Sequence, residues 1–197
     1  MATRTKSSAK ATVAGRQDGR HTNGNVRTYP APGALATPTD LTQAEVDAIT
    51  AAVNPLIADT LALYMKSKNF HWHLSGVHFR DFHLLFDEHA EVLIESVDIL
   101  AERIRKIGGT TLRSISHISE LQTIADDNDE FVPPSAMIRR LLADNQQMAR
   151  AQRAAIDVCD ENRDSPTGNL LQEILDQTER RIWFLFEIAQ GLDPVDE

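Results

Sequence analysis

The 197-residue chain has one cysteine, Cys159. That excludes an intrachain disulfide framework and a metal site built from thiolates. Aromatic residues make up only 6%. No uninterrupted apolar run approaches the roughly 18 residues that a membrane span needs. There is no excess of positive charge: the formal net charge is −9, which argues against nucleic-acid binding by bulk charge. The chain has no Walker A lysine loop, no dinucleotide glycine fingerprint and no His-Glu-x-x-His, so nucleotide-phosphate cradles and zincin proteolysis are excluded. It has no Glu-x-x-His either, and so lacks the signature of a di-iron centre built inside one helical bundle. Alternating apolar and polar residues are missing over any useful length, which leaves little basis for a sheet.

The charge that is present is unevenly spread. Residues 1–39 carry Arg4, Lys6, Lys10, Arg16, Arg20 and Arg27 against Asp18 alone, a net of +5; the other 14 basic and 28 acidic residues give residues 40–197 a net of −14. The first stretch is poor in large apolar side chains, cannot offset its ordering entropy by burial, and reads as a disordered basic extension. It has no apolar core of a secretory signal. Its charge suits contact with phosphates of nucleic acid, or simply a solubilising terminus.

Residues 40–197 read as a four-helix bundle. Thr39 or Asp40 can cap a first helix that runs to about His73 on a stripe from Val46 to Phe70. A second helix carries a stripe from Phe79 to Ile107 and stops at Gly108-Gly109. Ser114 to Thr123 is a candidate short helix in a long crossover. A third long helix follows Pro133-Pro134 with Ser135 as a cap, and a fourth runs from about Thr167 to Gln190. Helices this long, against a usual mean of ~11–12 residues, with one long crossover, suit an all-α, ferritin-like bundle.

Five of the seven histidines fall between His71 and His89. On the second helix His83 and Asp87 are four apart, as are Asp98 and Glu102, so each pair shares a face. Imidazole with carboxylate suits Fe, Zn or Mn. The pairs are eleven residues apart, about three turns, which places them on one side of the helix but ~16 Å from each other. One ion cannot bridge that gap. Two copies of the helix packed antiparallel about a two-fold axis would bring His83 and Asp87 of one chain against Asp98 and Glu102 of the other. His71, near the end of the first helix, is placed to add a nitrogen. An ordinary solvated polar stripe has the same spacing, and a bundle holding a structural Zn is the plainer alternative.

These residues sit in recognisable surroundings. Lys68-Asn69-Phe70-His71-Trp72-His73, Gly76-Val77-His78-Phe79, Phe82-His83-Leu84-Leu85-Phe86-Asp87, Asp98-Ile99-Leu100-Ala101-Glu102-Arg103, Gly108-Gly109 and Trp183-Phe184-Leu185 together resemble the Dps family, the mini-ferritins first described as DNA-binding proteins from starved cells. The resemblance covers roughly residues 45–190. It implies a dodecameric shell with ferroxidase sites at two-fold interfaces, where His71, His83 and Asp87 of one subunit and Asp98 and Glu102 of its partner hold iron, with Zn able to stand in its place. It implies oxidation of Fe(II), preferably by hydrogen peroxide, storage of the ferric mineral, and Trp72 as an electron donor. It also implies a cytoplasmic protein, nucleoid-associated if residues 1–28 bind DNA. Asp157, Asp160, Glu161 and Asp164, around the last turn, are candidates for lining a pore.

Overall fold

The structure, a computed structural model, describes residues 33–192. The basic stretch read as a disordered extension lies outside the described residues up to position 32. Of its last part, Gly33–Leu35 form a single 3-10 turn. Thr37 donates its hydroxyl to the Arg105 carbonyl at 2.9 Å, and Arg105 reaches back to the Leu35 carbonyl at 2.8 Å.

Five helices follow, and among the described residues there are no strands: α1 Gln43–His73, α2 Phe79–Lys106, α3 Ile115–Leu121, α4 Pro134–Glu161 and α5 Ser165–Gln190. The cap of α1 is Thr42, not Thr39 or Asp40. Thr42 and Glu45 form a reciprocal capping box, in which each side chain accepts from the other's backbone N–H, so two otherwise unpaired donors are satisfied at once. α2 closes where Gly108 takes a positive φ of 86°, a conformation glycine adopts without the Cβ penalty. α4 starts one residue before Ser135. Pro134 takes the first turn, where its missing N–H costs nothing. α5 starts earlier than Thr167 because Asp164 caps it.

Tie points fix the directions. At one end of the bundle Arg163, just beyond α4, pairs with Glu45 at the start of α1 at 2.8 Å. Towards the other end Lys66 of α1 pairs with Asp144, ten residues into α4, at 2.6 Å. α4 therefore runs antiparallel to α1 and parallel to α2. The crossover climbs along α1: Asn54 donates to the Thr110 carbonyl at 2.9 Å, and the buried Asp59 carboxylate accepts from the Ile124 N–H at 2.9 Å and the Thr123 hydroxyl at 2.8 Å. The hairpins α1–α2 and α4–α5 pack with α1 beside α4 and α2 beside α5. Up-down-down-up order with one long crossover is the ferritin-like arrangement.

The core takes the predicted stripes, among them Ile49, Val53, Phe70, Phe86, Leu100, Ile104, Met137, Ile138, Leu141, Leu171 and Leu185. Cys159 is fully buried, and burial, with help from Asp164 and Asp160, pushes its thiol up to about 12. It is a core residue. Phe79 departs from its stripe and stays exposed. By length and composition α1 is apolar enough to cross a membrane, but half of its most apolar window is buried in the bundle.

Candidate metal centre

The corner between α1 and α2 is five residues long, Leu74 to His78. Gly76 turns it with a φ of 103°, and Leu74 is buried beneath it. This short link brings the last turn of α1 against the first turns of α2. The His71 and His83 rings stack there at a centroid distance of 3.7 Å, and Phe79 stacks on the other side of His83 at 5.0 Å. The bonding is reciprocal. His71 Nδ1 lies 2.8 Å from the His83 carbonyl, and His83 Nδ1 lies 3.1 Å from the His71 carbonyl. A carbonyl only accepts, so each Nδ1 must carry its proton and donate. In the neutral rings the lone pair is then on Nε2 in both, the tautomer a metal ligand needs.

Asp87 is one turn further along α2. Its carboxylate meets the Lys68 ammonium at 2.5 Å. That hydrogen bond, with smaller attractions from Lys68, His71 and His83, holds its carboxyl below the ordinary range. Lys68 is a site residue that the sequence reading passed over. Its position three before His71, on the same side of α1, was the available signal.

Asp98 and Glu102 lie further down α2 and are exposed. Among the described residues Glu102 pairs only with its helix neighbour Lys106, at 3.3 Å. Among the described residues no three His, Cys, Asp or Glu side chains of the single chain stand close enough to hold a metal. The chain thus draws His71, His83 and Asp87 into one corner and leaves Asp98 and Glu102 apart from them. Ile94 falls between the two groups on the same side of α2 and is 40% exposed.

The remaining candidates scatter. Trp72 is 56% exposed and lines a surface cleft with Met65, His73 and the Asp126–Asp129 loop. His73 bonds to the Asn69 carbonyl one turn back, at 2.9 Å. His78 precedes α2 and lies against Phe82. His89 is buried on a different side of α2, and burial, with Arg181 and Arg180 nearby, pushes it down to about 3. Asp157, Asp160 and Glu161 are exposed. Asp164 does not line a pore: it is 2% exposed, caps α5 and pairs with Arg103 at 2.5 Å.

The ferritin-like domain model matches residues 50–193. An uncharacterized low temperature-induced protein of Nostoc is 30% identical over 152 residues, 77% of this chain and 85% of that one. DNA protection during starvation protein 1 of Deinococcus radiodurans is 26% identical over 145 residues, 74% of this chain and 70% of that one. The structure of DpsC from Streptomyces coelicolor superposes with a TM-score of 0.76 at 29% identity, covering 82% of this chain and 94% of that one. The chain belongs to the ferritin-like family, in its Dps branch.

Proposed function

We propose that the protein is a Dps-type ferroxidase and iron store that protects DNA and cell from oxidative damage. The observation that carries this is the stacked pair His71 and His83, with both Nδ1 atoms tied to backbone carbonyls. That bonding fixes two imidazoles in the metal-binding tautomer before any metal arrives. Asp87 supplies the carboxylate beside them. The missing ligands are Asp98 and Glu102 of the partner subunit, across an antiparallel contact of two α2 helices. The exposed Ile94 gives that contact an apolar centre.

Iron is the substrate here, with Zn able to occupy the same ligands. Two Fe(II) ions each give up one electron to hydrogen peroxide, and its O–O bond breaks to two hydroxides with no hydroxyl radical released. The negative shell attracts Fe(II) and holds the ferric product in a cage of twelve subunits. Trp72, next to His71 in the chain, is the proposed electron donor when a single ferrous ion cannot supply both electrons.

The test is His83→Gln with Asp87→Asn, which keeps side-chain size. Anaerobic Fe(II) loading followed by stoichiometric peroxide should show oxidation slowed at least tenfold by absorbance, with the elution volume on size exclusion unchanged. Wild-type rates in the double variant would refute the site. Elution as a monomer or simple dimer by the wild type would refute the cage.

A second reading rests on the +5 carried by residues 1–39. It makes the protein chiefly a nucleoid-binding module in which many tails bind DNA together. A gel shift across a salt series decides it: loss of binding on deleting residues 1–28 supports the tail, and full retention excludes it.

A further inference from the structure

On the other side of α2 from the histidine corner is a buried charge that makes no ion pair among the described residues. Arg181 of α5 is 4% exposed. Its Nε donates to the Asn145 side-chain oxygen at 2.8 Å, and its Nη2 donates to the Thr178 hydroxyl at 2.8 Å. Both partners are neutral and held in place. Asn145 donates to the Leu141 carbonyl and Thr178 to the Ile174 carbonyl. A guanidinium has five N–H donors, so three find no acceptor among the described residues. Burial alone lowers its pKa to about 10, and it remains a cation at neutral pH. A buried cation is normally paired, because leaving one unpaired is among the costliest arrangements a fold can hold.

Arg181 forms part of a cleft of about 240 Å³ between α2 and α5, with Gln177, Arg180 and His89 around it. Arg180 brings a second guanidinium, which lies over the Phe184 ring at 4.7 Å. Neither arginine makes an ion pair among the described residues. Glu88 and Glu91 of α2 also line the cleft and are exposed, and Glu95, Glu173 and Asp176 line an adjoining cleft that shares Arg181; none of the five is in ion-pair contact with either arginine.

We propose that this cleft is a binding site for a small oxyanion of phosphate size, held by Arg181 at its floor and Arg180 at its side. Guanidinium forks match the oxygens of such anions in geometry as well as charge. The Gln177 amide adds a neutral donor. The site lies on α2 and α5 alone and does not depend on iron binding at the α1–α2 corner.

The experiment uses the full-length protein in phosphate-free buffer. Phosphate is titrated calorimetrically against potassium chloride at matched ionic strength, with acetate as a second arm. One saturable phosphate per chain is expected, together with a thermal midpoint raised above the chloride control. Tighter binding of acetate than phosphate would assign the site to carboxylates instead. Arg180→Gln, at an exposed position, should weaken binding at least tenfold, and Arg181→Gln should abolish it. Glu91→Gln should tighten it severalfold by removing a repelling charge. Absence of saturable anion binding to the wild type overturns the proposal, as does affinity unchanged in Arg180→Gln, and so does a carboxylate of a second copy found on Arg181 in the assembled protein.

Discussion

Two backbone carbonyls do much of the work at the histidine corner. Because each imidazole is oriented by the other's main chain, the tautomer depends on the α1–α2 turn and not on a second carboxylate shell. Lys68 then decides how freely Asp87 can act. Its ammonium occupies the carboxylate that a metal would need and repels an incoming cation. Lys68→Met should therefore tighten Zn(II) binding to the assembled protein about fivefold, or ~1 kcal/mol, the scale of a partly exposed ion pair. Competition titration against a chromophoric chelator measures this. Weaker or unchanged binding would show that Lys68 does not compete with metal.

The ends of the helices hold the elements in register. Asp164 accepts the Thr167 N–H and hydroxyl at the head of α5 and also pairs with Arg103 of α2. Asp164→Ala removes a cap and leaves the largely buried Arg103 guanidinium without its counter-charge, with only the Thr167 hydroxyl to accept from it, a loss of about 3 kcal/mol. At roughly 2–4 °C per kcal/mol for a chain of this length, the thermal midpoint should fall by about 6–12 °C. Glu45 joins the start of α1 to Arg163, and its carboxyl is held down at about 2, first by Arg163 and then by Thr42. A carboxyl lowered from 4.5 stabilises the fold above that pH, and the contribution is lost as pH falls towards 2. Glu45→Gln should thus lower the thermal midpoint at pH 7, with the difference from wild type closing between pH 4.5 and 2. A constant difference across that range would show that the charge is not what matters. These ends also show what the sequence made readable. The stop at Gly108-Gly109 and the start at Pro133-Pro134 are plain in the sequence, since glycine and proline meet those backbone demands most cheaply. The caps were not. Thr39, Asp40 and Thr42 are all eligible, and only the spacing of Thr42 to Glu45 distinguishes the one used. Asp164 looked like solvent-facing acid because its partner Arg103 is far away in sequence, as Lys68 is from Asp87.

For the whole molecule, the proposed site draws its ligands from two chains, because the two pairs on α2 lie about three turns apart. A site shared between subunits can be repaired by mixing two dead ones. Subunits carrying His83→Gln and Asp87→Asn, co-assembled with subunits carrying Asp98→Asn and Glu102→Gln, leave one intact site at each mixed interface. Random mixing should restore about a quarter of the wild-type burst of Fe(II) oxidation, the fraction of shared sites left whole under two-fold pairing. No recovery in a verified mixed assembly would show that His83 and Asp87 do not share a site with Asp98 and Glu102 across the α2 contact. The Lys68–Asp87 pair has one more consequence at this scale. With an ammonium seated on the Asp87 carboxylate, the corner offers no bare negative charge to the partner carboxylates that the proposed pairing would bring against it. Under the proposed arrangement Lys68 stands in for the ion, and assembly of the subunits does not have to wait for metal.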